Sequence, residues 1–180
     1  SHSTAKFDQD YTIDSGTSFF PLGKTRDTLD ISIINDVIDE PSQTIVLSLN
    51  KPVNARIGLK STHTVKINDD DPPPYINIDN ESGSGLESDS SQFIAYSLSS
   101  HSEKEVSVKF RVSTYGTTAK KKKDYLLENG KMIIPAGLPG KSGINFKVID
   151  DQLDEYDELL IINLIGEPEN AMMGSSTRYT

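Results

Sequence analysis

Apolar and polar residues alternate with a period of two along most of this chain. Thr28-Leu29-Asp30-Ile31-Ser32-Ile33 alternates without a break, and Thr44-Ile45-Val46-Leu47-Ser48-Leu49 does so with one doubled apolar step. Val106-Ser107-Val108-Lys109-Phe110-Arg111-Val112 is the longest clean run, and Ile144–Val148 and Leu159–Leu164 repeat the theme. Successive side chains of a strand face opposite sides, so each run predicts a strand with one row on a core and the other in water. Asn129-Gly130 predicts a hairpin turn, with Ser15-Gly16 in the same place of an earlier unit. Pro21-Leu22-Gly23 and Pro135 to Gly140 mark further turns. No segment carries a convincing amphipathic helical stripe. Short strands with turn signals at roughly 8–12-residue spacing predict an all-β, immunoglobulin-like antiparallel sandwich.

The pattern occurs twice. Ala5 to Tyr11 reads AKFDQDY and Ala119 to Tyr125 reads AKKKKDY, 114 residues apart. Ile33-Ile34-Asn35-Asp36 matches Val148-Ile149-Asp150-Asp151 at an offset of 115, and Asp39-Glu40 matches Asp154-Glu155 at the same offset. Pro52, Ala55 and Gly58 match Pro168, Ala171 and Gly174 at 116. Two single insertions in loops account for the drift. The expected organisation is tandem sandwiches, both incomplete in this chain: 1–71 as the C-terminal part of a first unit, 72–74 as a stiff proline joint, and 75–180 as a second unit without its last strand.

Composition narrows the function. Among 180 residues, 27 are acidic and 18 basic, for a formal charge of −9, which disfavours nucleic acid as a partner. There is no cysteine, so disulfides and thiolate metal sites are excluded. No run of 18 apolar residues is present, so membrane insertion is not expected. The three histidines are scattered without ligand spacing, and His63 reads as a surface residue of a strand. With no nucleophile elbow and no glycine-rich oxyanion loop, catalysis is not expected. Lys120 to Lys123 reads as a solvated loop that softens nearby acids. Asn80-Glu81-Ser82 is a glycosylation sequon, and Ser82–Ser91 reads as a mobile Ser/Gly-rich loop.

The acids concentrate at turns that follow apolar strands. In the first unit they are Asp10, Asp36, Asp39, Glu40 and Asp69 to Asp71; in the second, Asp124, Asp150, Asp151, Asp154, Glu155, Asp157 and Glu158, with Glu87 before a strand. Calcium takes six to eight oxygen ligands, which carboxylates and backbone carbonyls supply flexibly, whereas magnesium demands a tighter octahedron. Acidic turns are common on soluble proteins because Asp favours turns. The repetition of acids at corresponding strand ends is what points to Ca2+.

At these residues the chain resembles the Calx-β family, the repeat of sodium–calcium exchangers, an integrin subunit and large surface adhesion proteins. The markers are Thr4-Ala5 … Asp10-Tyr11, Phe20-Pro21-Leu22-Gly23-Lys24-Thr25, Ile33-Ile34-Asn35-Asp36 … Glu40, and Ile67-Asn68-Asp69-Asp70-Asp71. The resemblance implies a sandwich of about seven strands with calcium in the loops at one end. For the second unit it implies ligands at Glu87, Asp124, Asp150, Asp151, Glu155 and Glu158, with the carbonyl of Leu153. For the first it implies Asp10, Asp36, Glu40, Asp69, Asp70 and Asp71, with the carbonyl of Ile38. Asn35 stands opposite Asp150 and Gln43 opposite Glu158, so fewer or weaker ions are expected in the first unit. The implied role is a calcium-stiffened adhesive repeat of a surface or secreted protein, with ions fixing the loop end and the interdomain joint. Its partners would be neighbouring repeats and a protein or glycan on another surface. The alternatives are a cytosolic calcium sensor of a membrane transporter and a metal-free spacer.

Overall fold

The computed structural model describes residues 2–14, 16–137 and 142–180. Within them the expected turns at Ser15-Gly16 and Pro135–Gly140 fall partly outside the described residues. The chain divides into two compact units, Ser1–Asp71 and Pro72–Thr180. Among the described residues, thirteen strands and one short 3-10 turn make up the regular structure. Among the described residues, no helix is long and apolar enough to cross a membrane.

The second unit is a β-sandwich. Its first layer joins β5 (Tyr75–Ile78), β6 (Ser91–Leu98), β8 (Tyr125–Leu126), β10 (Ser142–Val148) and β12 (Met172–Met173) in the order β12-β5-β6-β10-β8. The other joins β7 (Val106–Val112), β9 (Gly130–Ile134), β11 (Ile162–Glu169) and β13 (Arg178–Tyr179) in the order β13-β11-β7-β9. All pairs are antiparallel except β12 with β5. The alternating residues do what their period demands. Ile76, Ile78, Ile94, Tyr96, Ile144 and Phe146 from one layer meet Val106, Val108, Phe110, Met132, Ile134, Ile162 and Leu164 from the other. Each fully buried aliphatic side chain contributes about 1.5–3 kcal/mol relative to exposure.

The first unit holds two antiparallel pairs: β1 (Tyr11–Ile13) with β2 (Ile31–Ile33), and β3 (Gln43–Ser48) with β4 (Thr62–Ile67). Its buried residues are few, and most are polar: Ala5 and Ile45, with Asp10, Asp39 and Gln43.

The sequence repeat is also a repeat of register. Tyr11 opposes Ile33 and Thr12 opposes Ser32, while in the second unit Tyr125 opposes Val148 and Leu126 opposes Lys147. Likewise Leu47 opposes His63 and Ser48 opposes Thr62, matched by Ile162 with Tyr179 and Asn163 with Arg178. The offsets of 114, 115 and 116 thus align paired strands as well as residue types. His63 lies exposed on β4, as its polar neighbours imply.

Three local expectations are corrected. Asn129-Gly130 is not a two-residue hairpin turn, because β8 pairs with β10 and β9 pairs with β7. The segment crosses between layers, and the Asn129 Oδ1 accepts the Val112 N–H at 3.0 Å. The Leu159–Leu164 run enters its ladder only at Ile162. Before that, side-chain hydroxyls share the bonding: Leu159 N–H donates to Thr118 Oγ1 (2.7 Å) and Ile161 N–H to Thr117 Oγ1 (3.1 Å), while the Leu159 and Ile161 carbonyls accept the backbone N–H of Thr118 and Ser113. The Thr28–Ile33 alternation forms a ladder only over Ile31–Ile33.

Pro21-Leu22-Gly23 is the turn its residues demand. Lys24 N–H returns to the Pro21 carbonyl at 2.9 Å, with Gly23 at φ 81°, a conformation that glycine adopts without a Cβ clash.

Candidate metal centre

Two small turns carry the aspartates, and each occurs once per unit. In the first, Asp10 N–H bonds the Lys6 carbonyl (2.9 Å) while Asp10 Oδ2 accepts the Lys6 N–H (2.5 Å). Asp8 at φ 63° turns the chain so that its N–H meets the Tyr11 carbonyl. In the second unit Asp124 makes the same two bonds with Lys120, at 2.9 and 2.6 Å, and Lys122 at φ 70° takes the place of Asp8. The aspartate carbonyls then receive Ile34 N–H and Ile149 N–H, which ties each turn to the strand that leads to the next acids. The side chains between differ: Phe7 stands edge-on to Tyr11, whereas Lys121 pairs with Glu128.

The second turn is an Asx turn. Asp36 Oδ1 accepts the Ile38 N–H at 2.8 Å, and Asp151 Oδ1 accepts the Leu153 N–H at 2.7 Å. An Asp that bonds its own backbone two residues on holds the loop closed. One oxygen of each carboxylate is thereby committed, and the other is left for a further partner.

Around these turns the first unit gathers carboxylates. Asp10 and Asp39 are 7% and 2% exposed, and Asp36, Glu40, Asp69 and Asp71 are half-buried, while Asp70 is exposed. Asp71 titrates above the usual aspartate range. Withdrawal from water is the first cause, and the charges of Asp69, Asp70, Asp36 and Asp39 follow. Gln43, 8% exposed, has a side-chain oxygen that accepts no hydrogen bond. Buried carboxylates, and a buried amide oxygen without a donor, are each costly unless a cation or donor meets them.

In the second unit Asp124 and Glu158 share a hydrogen bond between their carboxyl groups. Glu158 is raised by partial desolvation, by that bond and by the Asp124 charge, with Glu155 adding to it and Lys120 opposing it. Partial desolvation pushes Asp124 upward too, but the Lys120 N–H, the Glu158 bond and the charges of Lys120 and Lys123 outweigh it and leave it low. The Lys120–Lys123 run therefore does soften the nearby acids.

Glu87 lies on the 3-10 turn Glu87–Asp89, exposed; Val148 N–H bonds the Ser90 carbonyl (3.2 Å) and docks that turn on the end of β10. Asp89 Oδ2 accepts the Leu86 N–H at 2.8 Å, which organises the Ser82–Ser91 stretch around this turn. Asp150, Asp151 and Glu155 are exposed.

Among the described residues, no three acidic or histidine side chains stand close enough as placed to share an ion. The donor set is nonetheless all hard oxygen, and the buried Asp10, Asp39 and unpartnered Gln43 oxygen fit a hard cation. The carboxylates of each loop end would have to draw together to complete a shell. Sequence reasoning left Asp39 and Gln43 out of the ligand set. Asp39 was visible as an acid of the same loop, but only burial distinguishes it from Glu40.

A β-sandwich repeat whose loops gather carboxylates at duplicated turns defines the class. The chain belongs to the Calx-beta domain family, whose sequence profile matches residues 1–71 and 69–177. Among solved structures it is similar to CBD12 from CALX1.2, at 20% identity and a TM-score of 0.47, covering 98% of this chain and 67% of that one. The calcium binding domain CBD12 of CALX1.1 is similar at 18% identity and a TM-score of 0.50, covering 58% of this chain and 42% of that one. At 18% identity this second likeness shows the fold alone. Among curated proteins, none matches this chain in sequence.

Proposed function

We propose that this chain is a calcium-binding structural repeat, in which ions at the acidic loops of each unit hold those loops closed. The observation that carries the reading is the duplication of both aspartate turns, Asp10 with Asp124 and Asp36 with Asp151, bond for bond. Without a cation, the carboxylates near Asp71 repel one another. A bound divalent ion supplies the missing positive charge. Asp10, Asp36, Glu40 and Asp69 to Asp71 would hold it in the first unit, with the Ile38 carbonyl positioned by the Asx turn. Asp124, Asp150, Asp151, Glu155 and Glu158 would do so in the second, with the Leu153 carbonyl and Glu87 beside β10. The role is binding and stiffening, with no chemical step, in a surface or secreted array of such repeats.

Thermal unfolding in millimolar calcium, in magnesium and in chelator tests this. A rise in midpoint specific to calcium is expected, and superimposable curves would reduce the chain to a metal-free spacer. The affinity separates adhesive from regulatory use. Dissociation constants of about 10⁻⁴–10⁻³ M suit an extracellular module, and about 10⁻⁷–10⁻⁵ M a cytosolic sensor.

A further inference from the structure

The outward face of the layer β13-β11-β7-β9 is basic, although the chain as a whole carries a formal charge of −9. Register fixes its membership. Arg178, Asn163 and Arg111 lie side by side across β13, β11 and β7. Two residues further along, Ile165, Lys109 and Lys131 lie side by side across β11, β7 and β9. The core residues alternate with these, so the four cations point away from the core, and all four are exposed. Lys109 stands directly opposite Lys131, a pairing of like charges that costs a sheet stability. Glu169 meets Lys131 at 3.1 Å. Among the described residues, Lys109, Arg111 and Arg178 have no ion-pair partner. The face is apolar in part as well: Ile165 is half-buried beside Lys109, and Ile133 is 45% exposed next to Lys131 in the strand.

The same unit carries the complement. Six of the nine residues 150–158 are acidic, and the stretch joins no strand ladder. Leu153, Tyr156 and Leu159 stand out from it, with Tyr156 96% exposed. We propose that the basic outer face of the second unit docks the acidic 150–159 loop of a second copy of this chain. Carboxylates match the planar guanidinium groups of Arg111 and Arg178 through paired hydrogen bonds, and a cation packs on the face of a tyrosine ring. Leu153 and Leu159 suit Ile165 and Ile133. An anionic glycan would satisfy the cations and leave the two isoleucines without an apolar partner, which is why a protein loop is the occupant. Face and loop are different patches, so every copy offers both halves of the contact. The contact needs no metal, and it stands apart from the calcium reading.

Sedimentation velocity of the full chain in chelator tests this. It is run at about 0.01 M salt, where charges are felt over about 30 Å, and at about 0.15 M, where that reach falls to about 8 Å. Wild type is expected to associate as its concentration rises at the lower salt, and more weakly at the higher. Arg111→Glu with Arg178→Glu reverses the face, and Asp154→Lys with Asp157→Lys reverses the loop. Neither aspartate is among the residues assigned to the cation. Each pair of substitutions should weaken association by about 10-fold or more, because like charges then oppose each other across the contact. Mixed together, the two variants should associate again, since each keeps the half that the other has lost. Should the face variant fail to fold, Lys109→Glu takes its place in the same mixture. A wild type that stays monomeric at both salts overturns the proposal, as does a mixture that fails to associate. A loop variant that associates as wild type does also overturns it, and shows that another anion fills the face.

Discussion

Replacing both Asx-turn aspartates by asparagine separates their two tasks. In Asp36→Asn and Asp151→Asn the side-chain oxygen still accepts the N–H of Ile38 or Leu153, bonds of 2.8 and 2.7 Å in the wild type. The turn survives, and only the charge is lost. In chelator the double variant should melt within roughly 0.5 kcal/mol of wild type, as surface substitutions that spare local structure do. The first unit should gain slightly, since one of the charges crowding Asp71 is removed. Calcium at 100 times its dissociation constant should stabilise the wild type by about 2.7 kcal/mol. For a unit of this size that is a rise of about 11–22 °C, taking roughly 4–8 °C per kcal/mol. The double variant should lose most of that rise. Differential scanning calorimetry with and without calcium measures both quantities. A double variant that keeps the full calcium shift refutes the idea that these loops hold the ion; one that already collapses in chelator refutes the claim that asparagine preserves the turn.

Two further outcomes follow from the second unit. Ile162 is 0% exposed where β11 meets β7 and β13, so Ile162→Ala should cost about 2–5 kcal/mol, read as a lower denaturation midpoint with or without calcium. Tyr96 is buried, and withdrawal from water raises its phenol above the ordinary 10.0. A raised pKa means that its stabilising contribution is complete below 10.0 and is lost as pH rises through the folded value. Unfolding should therefore set in above that range, monitored by tyrosinate absorbance, and Tyr96→Phe should move the onset to higher pH.

The sequence by itself determined the class of fold and the repeat. Period-two alternation is a local consequence of strand geometry, so Val106–Val112 was legible as a strand and Pro21–Gly23 as a turn from their own residues. The offsets of 114 to 116 carried the register of two strand pairs, because equal inward rows force equal pairings. Acids at both sets of turns were equally plain. What only the tertiary structure decided depends on partners distant in the chain. Asn129-Gly130 has the residues of a hairpin, yet its flanking strands pair in different layers, and no local propensity encodes that choice. The threonines at 117 and 118 cap a run that alternation alone extends too far. Burial sets Asp39 and Gln43 apart from their exposed counterparts in the second unit, and burial is a property of the packed loop end rather than of residue type. Electrostatics in water distinguishes acids only by charge; the interior distinguishes them by what remains to meet each oxygen.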